Sequence, residues 1–138
     1  MKYFTIKELC KSNTAKKLGI DNIPSKEIEK NIISLIDNCL DVIREAFGEP
    51  IKVNSGYRCP ELNNAVNGSK TSAHVKGMAA DLDCSDNKKL WDTIIELNKR
   101  GIIEFRQLIW EKGNDQAPAW IHIEYNPGNN KNQILRIR

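Results

Sequence analysis

The sequence predicts an α+β fold: a single small domain in which N-terminal helices pack on a small, largely antiparallel sheet that carries the functional site. Three observations predict it. An amphipathic helix of about twenty residues occupies the first half of the chain. A strand, a helix and then two further strands follow. The length of 138 residues suits one compact domain with its own core.

The first part of the chain predicts helices. A short helix is expected around Ile6 to Cys10, and a second one ends at Gly19. Ser25 is a suitable N-cap for the long helix, and Gly48 ends it. Its apolar residues recur mostly at steps of three and four, as one buried face requires. They are Ile28, Ile32, Leu35, Ile36, Cys39, Leu40, Ile43 and Phe47.

The second part of the chain predicts strands around one more helix. "PIKVNSGYR" is typical of a strand, and the loop after it contains a short helix over Pro60 to Val66. "MAADLDC" predicts a second strand, and its period of two places Ala79, Asp81 and Asp83 on one face. A helix follows over Asn87 to Lys99. "FRQLIWE" and "WIHIEYNP" then predict two strands joined by a polar loop, and "NPGNNKN" predicts a turn.

Composition excludes several classes of protein. Net charge is +3 and the basic residues are interspersed with acidic ones, so the clustered basic stripe of a nucleic-acid binder is missing. No apolar run reaches the roughly 18 residues of a membrane helix. The first residues do not resemble a signal peptide, which predicts synthesis in the cytoplasm. The four cysteines form no C-x-x-C pair, so we expect free thiols rather than a zinc knuckle or disulfides.

The chain has only two histidines, and each lies near a carboxylate. His74 precedes Asp81 in "SAHVKGMAADLD", and His122 lies in the strand "WIHIEY". Two imidazoles and one carboxylate are a ligand set that catalytic zinc uses, with a fourth position left for water. Gly77 lets the backbone turn between the first two residues. On spacing alone, a surface histidine and a hydrogen-bonded aspartate remain the alternative.

Four segments together carry a family resemblance: "VNSGYRCPELNNAVNGSK", "SAHVKGMAADLD", "FRQLIWE" and "WIHIEY". With them the chain resembles the D-alanyl-D-alanine carboxypeptidase family of zinc metallopeptidases. It is most similar to the short phage-type enzymes that cut peptidoglycan stem peptides. The resemblance covers nearly the whole chain and implies one zinc peptidase domain over 1–138, with an N-terminal helical segment (1–24) and a catalytic core (25–138).

The resemblance also implies roles for single residues. It makes His74, Asp81 and His122 the ligands of Zn²⁺, and it places Arg58 beside the metal to stabilise the oxyanion and the substrate's peptide group. A guanidinium is suited to that role because it keeps its charge and offers a planar fork of donors. A surface salt bridge is the alternative for Arg58. Ser72, Tyr57 and Trp120 are candidate substrate contacts, with loop capping or packing as their alternatives.

The chain departs from the family at the general base. Many members carry an acid three residues before the final histidine, where this chain has Ala119. Glu111 is our candidate instead. If the last hairpin pairs 111 with 120, Glu111 lies on the face of His122, one diagonal away, whereas a register shift of one residue would aim it elsewhere. Asp83, Glu124 and Asp115 are the alternatives.

Two functions follow from these observations. The first is a monomeric zinc peptidase that cuts stem peptides, either between L-Ala and a D-amino acid or by releasing terminal D-Ala. The second is a catalytically silent, metal-stabilised domain that binds wall peptides, which the missing acid at position 119 favours. Action at the wall without a signal peptide implies release by a phage or prophage, with a holin-like pore as partner.

Overall fold

The computed structural model describes all residues, 1–138, and confirms a small α+β domain with a mostly antiparallel sheet. None of its helices combines the length and the apolarity that a bilayer span requires. The helices are α1 (Ile6–Cys10), α2 (Asn13–Leu18), α3 (Lys26–Leu35), α4 (Asp41–Phe47), α5 (Pro60–Ala65) and α6 (Asn87–Lys99). The strands are β1 (Lys52–Ser55), β2 (Ala79–Asp83), β3 (Gln107–Glu111), β4 (Trp120–Glu124) and β5 (Gln133–Ile137).

The long amphipathic helix is confirmed, with one interruption. A π-helical turn, Ile36–Leu40, joins α3 to α4, so the two form one helical stretch. Ser25 caps its N-terminus by accepting a hydrogen bond from the Ile28 amide, and Gly48 ends it in the left-handed conformation. The sequence did not predict the π turn. One extra residue in a helical turn still leaves the apolar residues spaced mostly three and four apart.

The five strands are ordered β1-β2-β4-β3-β5. The first four pair antiparallel, and β5 pairs parallel with β3 at the edge. β5 was not predicted from the sequence. It follows the predicted turn, and most of its residues are exposed, including Ile134 and Ile137. An exposed edge strand lacks the strict alternation by which strands are recognised.

One face of the sheet is covered and the other holds the functional residues. The covered face contributes Ala80, Leu82, Leu108, Ile121 and Ile123 to a core that also includes residues of the α3–α4 stretch and α6. Because side chains alternate along a strand, the residues between these positions point to the opposite face. That face carries the polar side chains of β2, β3 and β4.

Candidate metal centre

Three side chains from distant parts of the chain converge on the polar face of the sheet. His74, Asp81 and His122 each offer one ligand atom, and these three atoms all lie within 4.8 Å of one another. His74 is buried, whereas the other two are half-buried and reach solvent. No other group of three metal-ligating side chains in the chain is this close together.

The β2–β4 ladder brings Asp81 and His122 together. The two residues are direct cross-strand partners, and antiparallel partners hold their Cβ atoms about 5 Å apart on the same face. Nδ1 of His122 lies 2.9 Å from Oδ1 of Asp81. The predicted strand parity therefore holds for both residues.

A tight turn before β2 brings in His74. It lies in a 3₁₀ turn, Ala73–Lys76, that begins with Ser72 accepting a hydrogen bond from the His74 amide at 3.2 Å. Gly77 ends the turn at φ +71°. A Cβ there would lie 2.9 Å from side-chain atoms of Ile28 and Ile32, so both the conformation and the space require glycine.

Each imidazole has one nitrogen hydrogen-bonded away from the centre. Nδ1 of His74 lies 2.7 Å from the carbonyl oxygen of Gly56, so it donates and leaves Nε2 as the free nitrogen. That Nε2 lies 3.4 Å from Oδ1 of Asp81. Nε2 of His122 lies 2.8 Å from Oε1 of Glu124. The two inward nitrogens thus face the same carboxylate oxygen.

The centre is electrostatically coupled. Burial would raise the pKa of Asp81, but hydrogen bonds and charge from His122 and His74 outweigh it and hold that pKa well below its usual range. Burial opposes protonation of His122, yet Asp81 and Glu124 together raise its pKa to about 9. Burial likewise raises the pKa of Glu124, and its contacts with His122 and Arg106 lower it overall.

Arg58 lies at the edge of this centre. Its backbone amide donates to the His74 carbonyl oxygen at 3.1 Å, which ties the loop after β1 to the histidine turn. Burial lowers the pKa of its guanidinium, and the nearby Asp81 carboxylate opposes that shift. Its Nε is buried and has no hydrogen-bond partner. A buried donor without a partner is uncommon and calls for an explanation.

Glu111 lies on the same face as His122. The β3–β4 register pairs Glu111 with Trp120 and Ile109 with His122, as the predicted hairpin required. The Glu111 carboxylate is half-buried, and its pKa is raised by burial, against the charge of His122. No hydrogen bond contributes to that shift.

The other candidate carboxylates are already engaged. Asp83 Oδ1 accepts hydrogen bonds from the side chain of Asn87 at 2.7 Å and from the Cys84 amide at 3.0 Å. Asp115 lies in the polar loop, is exposed and forms an ion pair with Arg136 of β5. Glu124 holds His122. Glu111 therefore remains the acid on this face whose carboxylate is unengaged.

The three candidate substrate residues lie in different environments. Ser72 and Trp120 are half-buried, on the histidine turn and on β4 respectively. Tyr57 is only 7% exposed and belongs to the hydrophobic core, so its ring is covered by packing. Contact between these residues and substrate stays a prediction.

Sequence reasoning did not assign an orienting role to either group that holds an imidazole; it considered Glu124 only as an alternative general base. The contact of Glu124 with His122 follows from strand parity, since residues two apart share a face. The Gly56 carbonyl gave no such signal, because a backbone acceptor carries no side-chain identity. Gly56 approaches Leu9 so closely that a Cβ would lie 2.2 Å from the Leu9 carbonyl oxygen.

Comparison with known protein families identifies the family to which this chain belongs. The family model described as Peptidase M15 matches residues 2–124, which include every residue of the centre. The chain belongs to the peptidase M15 family. Membership confirms the resemblance seen in the sequence and implies a zinc metallopeptidase. A search of curated proteins finds no match for this M15 chain.

Proposed function

We propose that this M15 chain is a zinc metallopeptidase that hydrolyses peptide bonds in peptidoglycan stem peptides. The observation that carries the proposal is the convergence of His74, Asp81 and His122 within 4.8 Å on the open face of the sheet. Two nitrogens and one carboxylate oxygen match the donor set of catalytic zinc sites, which keep one position for water.

The residues present fit a zinc ion. Nε2 of His74 and Nδ1 of His122 approach the same oxygen of Asp81 at 3.4 Å and 2.9 Å. The other nitrogen of each ring is held by an acceptor, as in histidines that bind metals. His74, Asp81 and His122 would therefore hold the ion. Bound there, zinc supplies a Lewis acid and lowers the pKa of water.

Glu111 is the proposed general base. Its carboxylate is half-buried, unengaged and on the face of His122. It would accept a proton from the water that attacks the scissile carbonyl carbon. It would then deliver that proton to the amine as the C–N bond breaks, so Glu111 is again a carboxylate at the end of the cycle. Burial, which raises its pKa, brings the carboxylate closer to the basicity that this transfer needs.

Arg58 is the proposed electrostatic partner of the transition state. Its guanidinium keeps its charge despite burial, and its Nε has no partner within the protein. An oxyanion or a substrate carbonyl would satisfy that donor. Preorganised donors of this kind stabilise developing charge because they need no reorientation during the reaction.

The surroundings of the centre suit a polar substrate. A cavity of about 630 Å³ lies on the Glu124 side of the centre and is lined mostly by polar side chains, including Ser72, Lys76 and Arg106. The three proposed ligands do not line it, so it would hold the part of the substrate away from the scissile bond. Stem peptides carry free carboxylates, which Lys76 and Arg106 would attract. The net charge of +3 also favours the anionic polymers of a bacterial wall.

Digestion of defined muropeptides, followed by mass spectrometry of the products, tests the proposal. We expect hydrolysis with zinc and none after treatment with a chelator, and the product masses identify the bond that is cut. A protein that binds zinc and muropeptides but leaves every bond intact would instead be the catalytically silent binding domain.

A further inference from the structure

Glu124 is a buried carboxylate in direct contact with one of the proposed zinc ligands. It lies two residues after His122 on β4, on the same face, and is only 8% exposed. Its Oε1 lies 2.8 Å from Nε2 of His122, and its Oε2 lies 3.1 Å from a terminal guanidinium nitrogen of Arg106. Both oxygens are thus engaged.

We propose that Glu124 is a positioning residue that selects the nitrogen with which His122 binds the metal. Because Glu124 accepts the Nε2–H hydrogen bond, Nδ1 is the nitrogen of His122 that is left to bind a metal. Glu124 also fixes the ring rotation that directs Nδ1 to Asp81, 2.9 Å away. The inference rests on the proposed zinc site, and it adds a residue to which the site owes its geometry.

The two histidines reach the centre in opposite ways. His74 lies in the 3₁₀ turn before β2. It offers Nε2, because the Gly56 carbonyl oxygen accepts a hydrogen bond from its Nδ1. His122 stands on the sheet directly opposite Asp81. From that position the nitrogen nearer to the backbone is the one that faces Asp81, and the outer nitrogen points along the strand to Glu124. The Glu124 carboxylate is therefore placed to hold this outer nitrogen.

Arg106 keeps Glu124 in place. Its backbone amide donates to the Glu124 carbonyl oxygen at 2.7 Å, and its guanidinium holds Oε2. The Arg106 side chain is 43% exposed, so this ion pair is screened by solvent and contributes little to stability by itself. Its effect is geometric: it fixes one carboxylate oxygen so that the other faces His122.

Zinc affinity tests the proposal without any substrate. We expect Glu124→Ala to weaken zinc binding about 10- to 100-fold in competition with a chromophoric chelator, as loss of an orienting partner does. Glu124→Gln keeps an acceptor oxygen, so the loss is expected to be smaller. Glu96→Ala removes an exposed carboxylate of α6 and serves as the control with unchanged affinity. Wild-type affinity in Glu124→Ala overturns the proposal.

Nitrogen NMR of the zinc-loaded wild-type protein gives an answer that does not depend on any variant folding. The expected spectrum has a protonated Nε2 and a metal-bound Nδ1 for His122, and the reverse assignment for His74. Metal bound through Nε2 of His122 overturns the proposal. Neither measurement involves peptide cleavage, so a protein that shows both results yet digests no muropeptide loses the proposed function and keeps this inference.

Discussion

Asp81 and His122 are direct cross-strand partners, and Nδ1 of His122 lies 2.9 Å from Oδ1 of Asp81. Two of the three proposed ligands are therefore fixed by the hydrogen-bonded ladder at the centre of the sheet, while the third depends on a turn. A site built on strands keeps its geometry before the ion arrives, which favours tight binding and links the ion to the folded state.

Zinc is expected to stabilise the protein against heat. An ion that binds only the folded state adds about 4 kcal/mol at a free concentration of 1,000 times its Kd, a rise in Tm on the order of 10 °C for a domain of this size. Calorimetry with zinc and with a chelator measures it. His74→Ala is the control, since it removes one ligand. Equal transition temperatures in both solutions would contradict the proposed site.

Glu111→Gln is expected to slow hydrolysis strongly while zinc stays bound. The amide preserves the shape of the side chain but cannot accept a proton, and loss of a general base costs about 10² to 10⁴ in rate. Muropeptide digestion and metal analysis of the same preparation measure the two properties separately. Lost activity together with lost zinc would point to a structural effect instead.

Asp83→Asn is the matched control for Glu111. Asp83 lies on the same sheet face by strand parity, but its carboxylate is held by the Asn87 side chain and the Cys84 amide. We expect this variant to retain activity. If Asp83→Asn is inactive and Glu111→Gln is active, the roles of the two carboxylates are exchanged.

Arg58→Ala is expected to lower kcat about 10²- to 10³-fold, the usual loss for one transition-state donor. Arg58→Lys restores charge without the planar fork and should recover only part of the rate. Zinc affinity should stay unchanged, because the hydrogen bond from Arg58 to His74 comes from the backbone amide, which the substitution keeps. Arg100→Ala, an exposed cation after α6, is the control. A loss confined to KM would assign Arg58 to substrate binding alone.

Much of the fold could be predicted because its elements carry periodic signals. The α3–α4 stretch has one apolar face, and the β3–β4 hairpin consists of two apolar segments on either side of a polar loop, so both were identified from the residues alone. β5 could not be identified in this way, since it is an exposed parallel edge strand. Its pairing with β3 depends on a contact between distant segments that no local pattern records.

The candidate centre was only partly predictable for a similar reason. Strand parity separated Asp81 and His122 from the apolar residues of their own strands, and the predicted hairpin put Glu111 on the face of His122. The pairing of β2 with β4, which brings Asp81 to His122, was not predicted. The Gly56 carbonyl, the partner of His74, comes from a backbone position just after β1 whose place depends on the close packing of Gly56 against Leu9. Every residue has a backbone carbonyl, so the identity of a residue does not reveal which carbonyl acts as an acceptor.

Gly77→Ala is expected to destabilise the protein more than Gly101→Ala. Both glycines have positive φ, +71° and +72°, so alanine meets the same backbone strain of about 1–2 kcal/mol at each. Only at Gly77 would the new Cβ also meet Ile28 and Ile32, at 2.9 Å, whereas Gly101 has open space. Urea titrations give the loss in free energy of unfolding for each variant. The difference between the two losses measures how tightly the histidine turn packs against Ile28 and Ile32. Equal losses would show that this contact relaxes without cost.

Cys39 is expected to make the protein less stable at alkaline pH. The thiol is fully buried and donates to the Glu104 carbonyl oxygen at 3.2 Å, and burial raises its pKa from 9.0 to about 12. The folded state therefore keeps a proton that the unfolded state releases above pH 9. The stabilisation is complete below pH 9 and is lost as pH rises toward 12.

Urea titrations across this range measure the effect, with Cys39→Ala as the reference. Other groups titrate in the same window, Cys10 among them with a pKa of about 11, but they are common to both proteins and cancel in the difference. The wild type should lose up to about 1.4 kcal/mol per pH unit relative to the variant. Parallel stability curves would mean that the Cys39 thiol ionises in the folded protein as easily as in the unfolded chain, and its burial would then exert no control over its proton.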